Sequence, residues 1–144
     1  MLIFMDINPK GNNTMLLIKT HLKETIGKGI GLFSSERIQV GRVWHKNESE
    51  FDKIYTRQFV EDKGLTDFFY KYASYNKLAD SFYLCSDNAR FVNHSENPNT
   101  FYNAEKGYCT AIRTIEIEEE ITCDYREMCD DIKFNGFDFE VRET

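Results

Sequence analysis

Arg90-Phe91-Val92-Asn93-His94-Ser95-Glu96-Asn97-Pro98-Asn99, set in a polar stretch that begins at Asp87, is the segment on which the fold turns. A plain surface loop can carry this many amides and hydroxyls. It does not usually interleave them with Phe91 and Val92, which favour burial. Amide and imidazole groups drawn inside must find partners, so a ligand or a crossing backbone is expected beside Asn93 and His94.

Two further segments flank it. Upstream lies Gly27-Lys28-Gly29-Ile30-Gly31-Leu32-Phe33, a glycine-rich turn entering a strand. Glycines let a backbone approach a ligand closely, and they equally make a hairpin turn. The dinucleotide fingerprint needs a further glycine and then a helix; here Leu32 and Ser34 follow, so that reading finds no support. Downstream lies Glu116-Ile117-Glu118-Glu119-Glu120-Ile121-Thr122-Cys123-Asp124-Tyr125. A solvated acidic turn accounts for Glu116 to Glu119 and not for Cys123-Asp124-Tyr125.

Short strands are predicted for residues 15–20, around the turn at Gly41 and over 108–113 and 120–125. Tyr72–Tyr75 and Ser81–Cys85 read as a hairpin. Residues 51–72 read as one helical segment, with Leu65, Phe68, Phe69 and Tyr72 at the i, i+3, i+4, i+7 spacing of an apolar face. The alternating β–α pattern of a doubly wound sheet is missing, leaving a mostly-β single domain over residues 1–144.

Composition narrows the function. A net charge of −6 disfavours direct nucleic-acid binding and suits a basic partner, although on charge alone the plainer reading, an acidic surface that serves solubility, is favoured. No apolar run has the length of a membrane span, and the N-terminus lacks a signal-peptide pattern. A cytoplasmic location is expected, or a nuclear one for a eukaryotic source. Cys85, Cys109, Cys123 and Cys129 form no C-x-x-C or C-x-C pair and are expected as reduced thiols.

In this order the three segments resemble the SET-domain family of protein-lysine methyltransferases, in its short, free-standing type. Gly29-Ile30-Gly31-Leu32-Phe33 fits the family's G-x-G and its apolar sequel. Arg90 to Ser95 with Pro98-Asn99 fits R-F-x-N-H-S and P-N. Arg113-Thr114-Ile115 and Glu119 to Tyr125 fit R-x-I and E-E-L-x-x-D-Y, with Glu118 replacing the usual glycine. The likeness spans about residues 15–126, leaving a tail over 127–144.

The resemblance implies a β-clip-like fold of small curved sheets, an inserted helical segment and a C-terminal pseudoknot that brings Tyr125 to the cofactor. It implies S-adenosylmethionine as methyl donor and a lysine-containing basic protein, a histone among the options, as acceptor. Tyr125 is the implied catalytic residue. Gly29, Ile30, Gly31, Arg90, Asn93 and His94 are implied cofactor contacts, although Arg90 can instead brace the knot and the His94 ring can be an internally bonded core group. Tyr75, Tyr72 and Cys123 are the implied substrate-channel residues.

Several departures from the family pattern matter. Relatives carry a cysteine after N-H-S and a C-x-C tail that hold zinc; here Glu96 follows Ser95, so no such zinc is expected. Phe134, Phe137 and Phe139 are then candidates for a lid or a terminal strand. The family's glutamate–aromatic pair is replaced by His45-Lys46, which keeps open a non-catalytic module that binds cofactor or a basic peptide; Trp44 beside it reads as core. Oligomeric state stays open, a homodimer included.

Overall fold

The structure, a computed structural model, describes residues 15–127. The candidate lid phenylalanines and Cys129 lie outside them. In chain order the strands are β1 (Met15–Leu16), β2 (Thr20–Thr25), β3 (Gly29–Ser34), β4 (Val43–Lys46) and β5 (Lys53–Thr56), followed by helices α1 (Arg57–Asp62) and α2 (Thr66–Tyr72). Then come β6 (Ser74–Asn76), β7 (Ser81–Leu84), β8 (Asn93–His94), β9 (Thr100–Asn103), β10 (Tyr108–Ala111) and β11 (Thr122–Cys123). Single 3-10 turns cover Asn88–Phe91 and Tyr125–Glu127.

The fold is mostly β and built of small sheets. They are a four-stranded sheet ordered β1-β4-β10-β9, a three-stranded sheet β5-β7-β6, the hairpin β2-β3 and the pair β11-β8. The last is parallel, with Thr122 opposite Asn93 and Cys123 opposite His94. This pairing of segments far apart in sequence carries the expected pseudoknot. In the β2–β3 hairpin, Gly27 at φ +77° and Gly29 at φ +74° take a left-handed conformation that a side chain would strain.

Apolar side chains gather in two clusters. The larger joins Leu32, Ile38, Trp44, Ile115, Ile121 and Tyr125 among others; the smaller joins Val60, Phe69, Ala73, Tyr75 and Phe82. The second lies between the inserted segment and the hairpin that follows it, and in that segment the expectation of one helix over 51–72 needs correction. Residues 53–56 are a strand, because Ile54 and Tyr55 pair with Tyr83 and Phe82 of β7. Thr56 then accepts a hydrogen bond from the Phe59 N–H at 3.1 Å and starts α1. Gly64, at φ +67°, separates α1 from α2.

The expected apolar face is also narrower: Phe69 is buried, whereas Leu65 and Phe68 are exposed. A two-turn helix edged by strands can turn only one side to the core. Tyr72 closes α2 rather than opening the hairpin, which runs from Ser74. The strands expected over 15–20 and 120–125 are likewise shorter, because a bend at Ile18 and the 3-10 turn at Tyr125 interrupt them.

Candidate active site

The parallel pair places Tyr125 two residues beyond Cys123, and the site is built from that point. The Tyr125 N–H donates to His94 Nδ1 at 3.1 Å, and the two rings meet edge to face with centroids 5.4 Å apart. Because Nδ1 accepts, Nε2 carries the ring proton, and it faces Glu96 Oε1 at 3.3 Å. The His94 ring is therefore an internally bonded core group that orients the Tyr125 backbone. The Tyr125 hydroxyl donates to the Val92 carbonyl at 2.7 Å.

The polar segment finds the partners that its burial demanded. The Asn93 amide donates to Glu120 Oε1 at 2.8 Å and to the Ile30 carbonyl at 3.4 Å. The Asn99 amide donates to the Glu120 carbonyl at 2.7 Å, and its oxygen accepts from the Thr122 N–H at 2.9 Å. The Thr100 hydroxyl donates to the Thr122 carbonyl at 2.7 Å. Arg113 donates to the Pro98 carbonyl at 3.0 Å and so pins the turn before Asn99. The crossing backbone anticipated beside the polar segment is thus the chain from Glu120 to Tyr125.

A cavity of about 440 Å³ lies where the two apolar clusters meet. That falls within the range of about 300–1,000 Å³ typical of small-molecule sites. Its wall includes Tyr125, Cys123, Tyr72, Tyr75, Trp44 and Arg90. The Tyr75 hydroxyl donates to Asp80 at 2.7 Å, which fixes the ring. Tyr72 packs edge-on against Phe91 at 5.4 Å. Arg90 lies over the Phe91 ring at 4.7 Å and donates to the Asp87 carbonyl at 3.2 Å, so it both braces the turn and faces the cavity.

Gly29, Ile30, Gly31, Asn93 and His94 do not line this cavity. They adjoin one another: Ile30 reaches Asn93 as above, and Lys28 Nζ donates to the His94 carbonyl at 3.0 Å. Gly29 and Ile30 are exposed and Gly31 is buried. A Cβ on Gly31 would stand 2.7 Å from Glu120 Oε1, 2.8 Å from Thr25 Cγ2 and 3.0 Å from Asn93 Nδ2. We expect Gly31→Ala to break the Asn93–Glu120 bond, at about 1–3 kcal/mol. A chemical denaturation midpoint unchanged from wild type would contradict this.

A family model of the SET domain matches residues 29–126, more than half of the chain. The chain belongs to the SET-domain family. No curated protein matches the sequence. Among solved structures, this SET domain resembles a humanized mutant of the Chaetomium thermophilum Polycomb Repressive Complex 2 bound to an inhibitor. The TM-score is 0.59 at 16% identity, over 81% of this chain and 16% of that one. It also resembles a Plasmodium falciparum protein described as a histone methyltransferase, with TM-score 0.53 and 19% identity over 75% of this chain and 93% of that one. A third is KRYPTONITE in complex with DNA, an H3(1–15) peptide and S-adenosylhomocysteine, with TM-score 0.54 and 20% identity over 76% of this chain and 24% of that one. This SET domain thus spans about a sixth of the Chaetomium chain, and identities this low speak for fold alone.

Three features of this SET domain escaped the sequence reading. Asn99 and Thr100 hold the crossing chain; the signal was a polar pair directly after Pro98 in a segment already marked for burial. Trp44 Nε1 is buried in the cavity wall with no hydrogen-bond partner among the described residues. His45 Nε2, Cys85 Sγ and an Asp87 carboxylate oxygen converge within 4.8 Å of one another. Burial, reinforced by the Asp87 and Asp52 charges, pushes the Cys85 thiol well above its usual range, so it stands there as a donor. Glu96, where relatives have a zinc-binding cysteine, instead meets Arg126 at 3.2 Å.

Proposed function

We propose that this SET domain transfers methyl groups from S-adenosylmethionine to the side-chain amine of a lysine in a basic protein, with Tyr125 as the catalytic residue. The observation that carries this reading is the position of Tyr125. Its ring stands in the cavity wall beside Cys123, while its backbone is tied to His94, whose neighbour Asn93 contacts the glycine-rich β3.

The cofactor is assigned to the backbone of Gly29, Ile30 and Gly31 with Asn93, His94 and Arg90. The lysine channel is assigned to Tyr72, Tyr75 and Cys123. The Trp44 N–H, unpartnered among the described residues, fits a ligand bearing hydroxyl or carboxylate acceptors, because a buried donor left unpaired costs about 1–3 kcal/mol. Bound S-adenosylmethionine supplies a methyl group made electrophilic by its sulfonium.

The residues of the chain have to deliver a neutral amine. Deprotonating lysine, with a pKa of ~10.4, costs roughly 4–5 kcal/mol at pH 7. Exclusion of water from the channel lowers that cost by disfavouring the ammonium. Alignment by the Tyr125 hydroxyl and the channel walls supplies several kcal/mol more, so no strong base is required. The solved KRYPTONITE complex holds an H3 peptide and S-adenosylhomocysteine, which supports a histone-like acceptor. A net charge of −6 favours the approach of a basic segment.

The test is transfer of a labelled methyl group from S-adenosylmethionine to histones and other basic proteins; no transfer to any of them, or to a cognate lysate, refutes the reading. The product is expected to reach di- or trimethyllysine, because Cys123 is small where relatives place Tyr or Phe. Cys123→Tyr should restrict it to monomethyllysine, read by mass spectrometry of end-point product. Monomethyl product alone from wild type would contradict this.

A non-catalytic module is the second reading. It is favoured by His45, which stands where relatives carry glutamate and is hydrogen-bonded into the wall rather than left to a ligand. Calorimetric cofactor binding without turnover would select it.

A further inference from the structure

We propose that His45, Cys85 and Asp87 form a site for zinc or a similar transition metal, whose open coordination position faces the cavity. The three residues come from two stretches: His45 from β4, and Cys85 and Asp87 from the short connection between β7 and Asn88–Phe91. They nonetheless bring an imidazole nitrogen, a sulfur and a carboxylate oxygen together. His45 Nε2 lies 3.3 Å from Asp87 Oδ2 and 3.5 Å from Cys85 Sγ, and Cys85 Sγ lies 3.2 Å from Asp87 Oδ1. A tetrahedral ion with zinc bonds of about 2.0–2.3 Å has ligand–ligand edges of roughly 3.3–3.7 Å. The His45–Cys85 edge already has that length; the two Asp87 contacts are made by different carboxylate oxygens, and with one oxygen counted the three donor atoms stand within 4.8 Å of one another, so a small shift of the side chains closes the set around an ion.

The surrounding bonds favour the same conclusion. Asp87 Oδ2 accepts from the Leu16 N–H at 2.9 Å, and Oδ1 accepts from the Ala89 N–H at 2.9 Å. Those backbone donors aim the carboxylate and persist when a cation binds. Only two mobile protons need to yield. The Cys85 S–H proton leaves to solvent, and the imidazole proton that Nε2 directs at Asp87 moves to Nδ1, freeing Nε2 to coordinate.

Sulfur with nitrogen selects zinc, cobalt or copper over magnesium or calcium, which want oxygen alone. His45 and Cys85 face the cavity, so a water or a ligand atom can take the fourth position, as in zinc sites that keep one place open. The donors differ from those of the zinc that relatives hold with cysteine clusters. The expectation that such a zinc is missing here does not bear on this site.

The test uses the full-length protein, reduced and metal-free, titrated with cobalt(II) and followed by absorption. We expect one equivalent to bind with a thiolate-to-cobalt charge-transfer band, and zinc(II) to displace it stoichiometrically. Cys85→Ser should abolish the band, and Asp87→Asn should weaken zinc binding at least tenfold in competition with a chromophoric chelator. Circular dichroism of each variant checks that the fold persists. Folded wild type that takes up neither metal overturns the proposal without recourse to any variant. So does a band that survives in Cys85→Ser, since another cysteine would then be the ligand. Neither readout involves methyl transfer, so the result stands apart from the fate of the proposed activity.

Discussion

Tyr125→Phe is expected to lower kcat/KM for methyl transfer on the order of 100-fold while leaving a folded protein. The ring supplies most of the residue's packing: it is buried in the larger cluster and meets His94 edge to face. Phenylalanine keeps that contact. Only the hydroxyl goes, together with its bond to the Val92 carbonyl. A single neutral hydrogen bond contributes about 1 kcal/mol, a shift in melting temperature of about 3–5 °C for a chain of this size.

The proposed function assigns a far larger effect to the same oxygen. Losing one well-placed polar group at a reacting centre costs on the order of 10²–10³ in rate. The two roles therefore separate on two axes, rate and melting temperature. Loss of rate with a shift of a few degrees supports catalysis. A variant that keeps a third or more of wild-type kcat/KM removes Tyr125 from the chemistry, and a melting temperature lower by more than about 10 °C marks the hydroxyl as chiefly structural.

The knot was legible because its polar residues sit among apolar ones. Asn93 and His94 next to Phe91 and Val92 announced buried amides needing partners, and the crossing chain supplies them. The strand Lys53–Thr56 was not legible, since helix and strand periods cannot be told apart over four residues and pairing with β7 decides between them. Nor was the convergence of His45, Cys85 and Asp87. His45 and Cys85 stand forty positions apart, and no spacing rule links them until β4 and β7 are in place. The glycine loop was legible as a turn. That Gly31 is packed against Thr25, Asn93 and Glu120 required coordinates.

Asn99→Ala is expected to give the largest loss of stability, about 2–5 kcal/mol, out of a total that for single domains is about 5–15 kcal/mol. The Asn99 side chain is buried and acts as a stretch of backbone would, offering a donor to the Glu120 carbonyl and an acceptor to the Thr122 N–H. Alanine leaves both backbone groups without these partners, and each buried group so orphaned costs about 1–3 kcal/mol. Thr100→Val removes only a hydroxyl from the Thr122 carbonyl and should cost about 1 kcal/mol.

Because both side chains grip Thr122, the double variant should lose less than the sum of the two singles, by about 0.5 kcal/mol or more. Strict additivity in denaturant titrations would mean that the chain beyond Glu120 is not held as a unit. The same titrations bear on function. Thr122 lies three residues before Tyr125, so if this grip sets the position of the phenol, methyl transfer by Asn99→Ala falls further than its folded fraction at the assay temperature. If activity instead tracks the folded fraction, Asn99 holds the fold and the position of Tyr125 depends on His94.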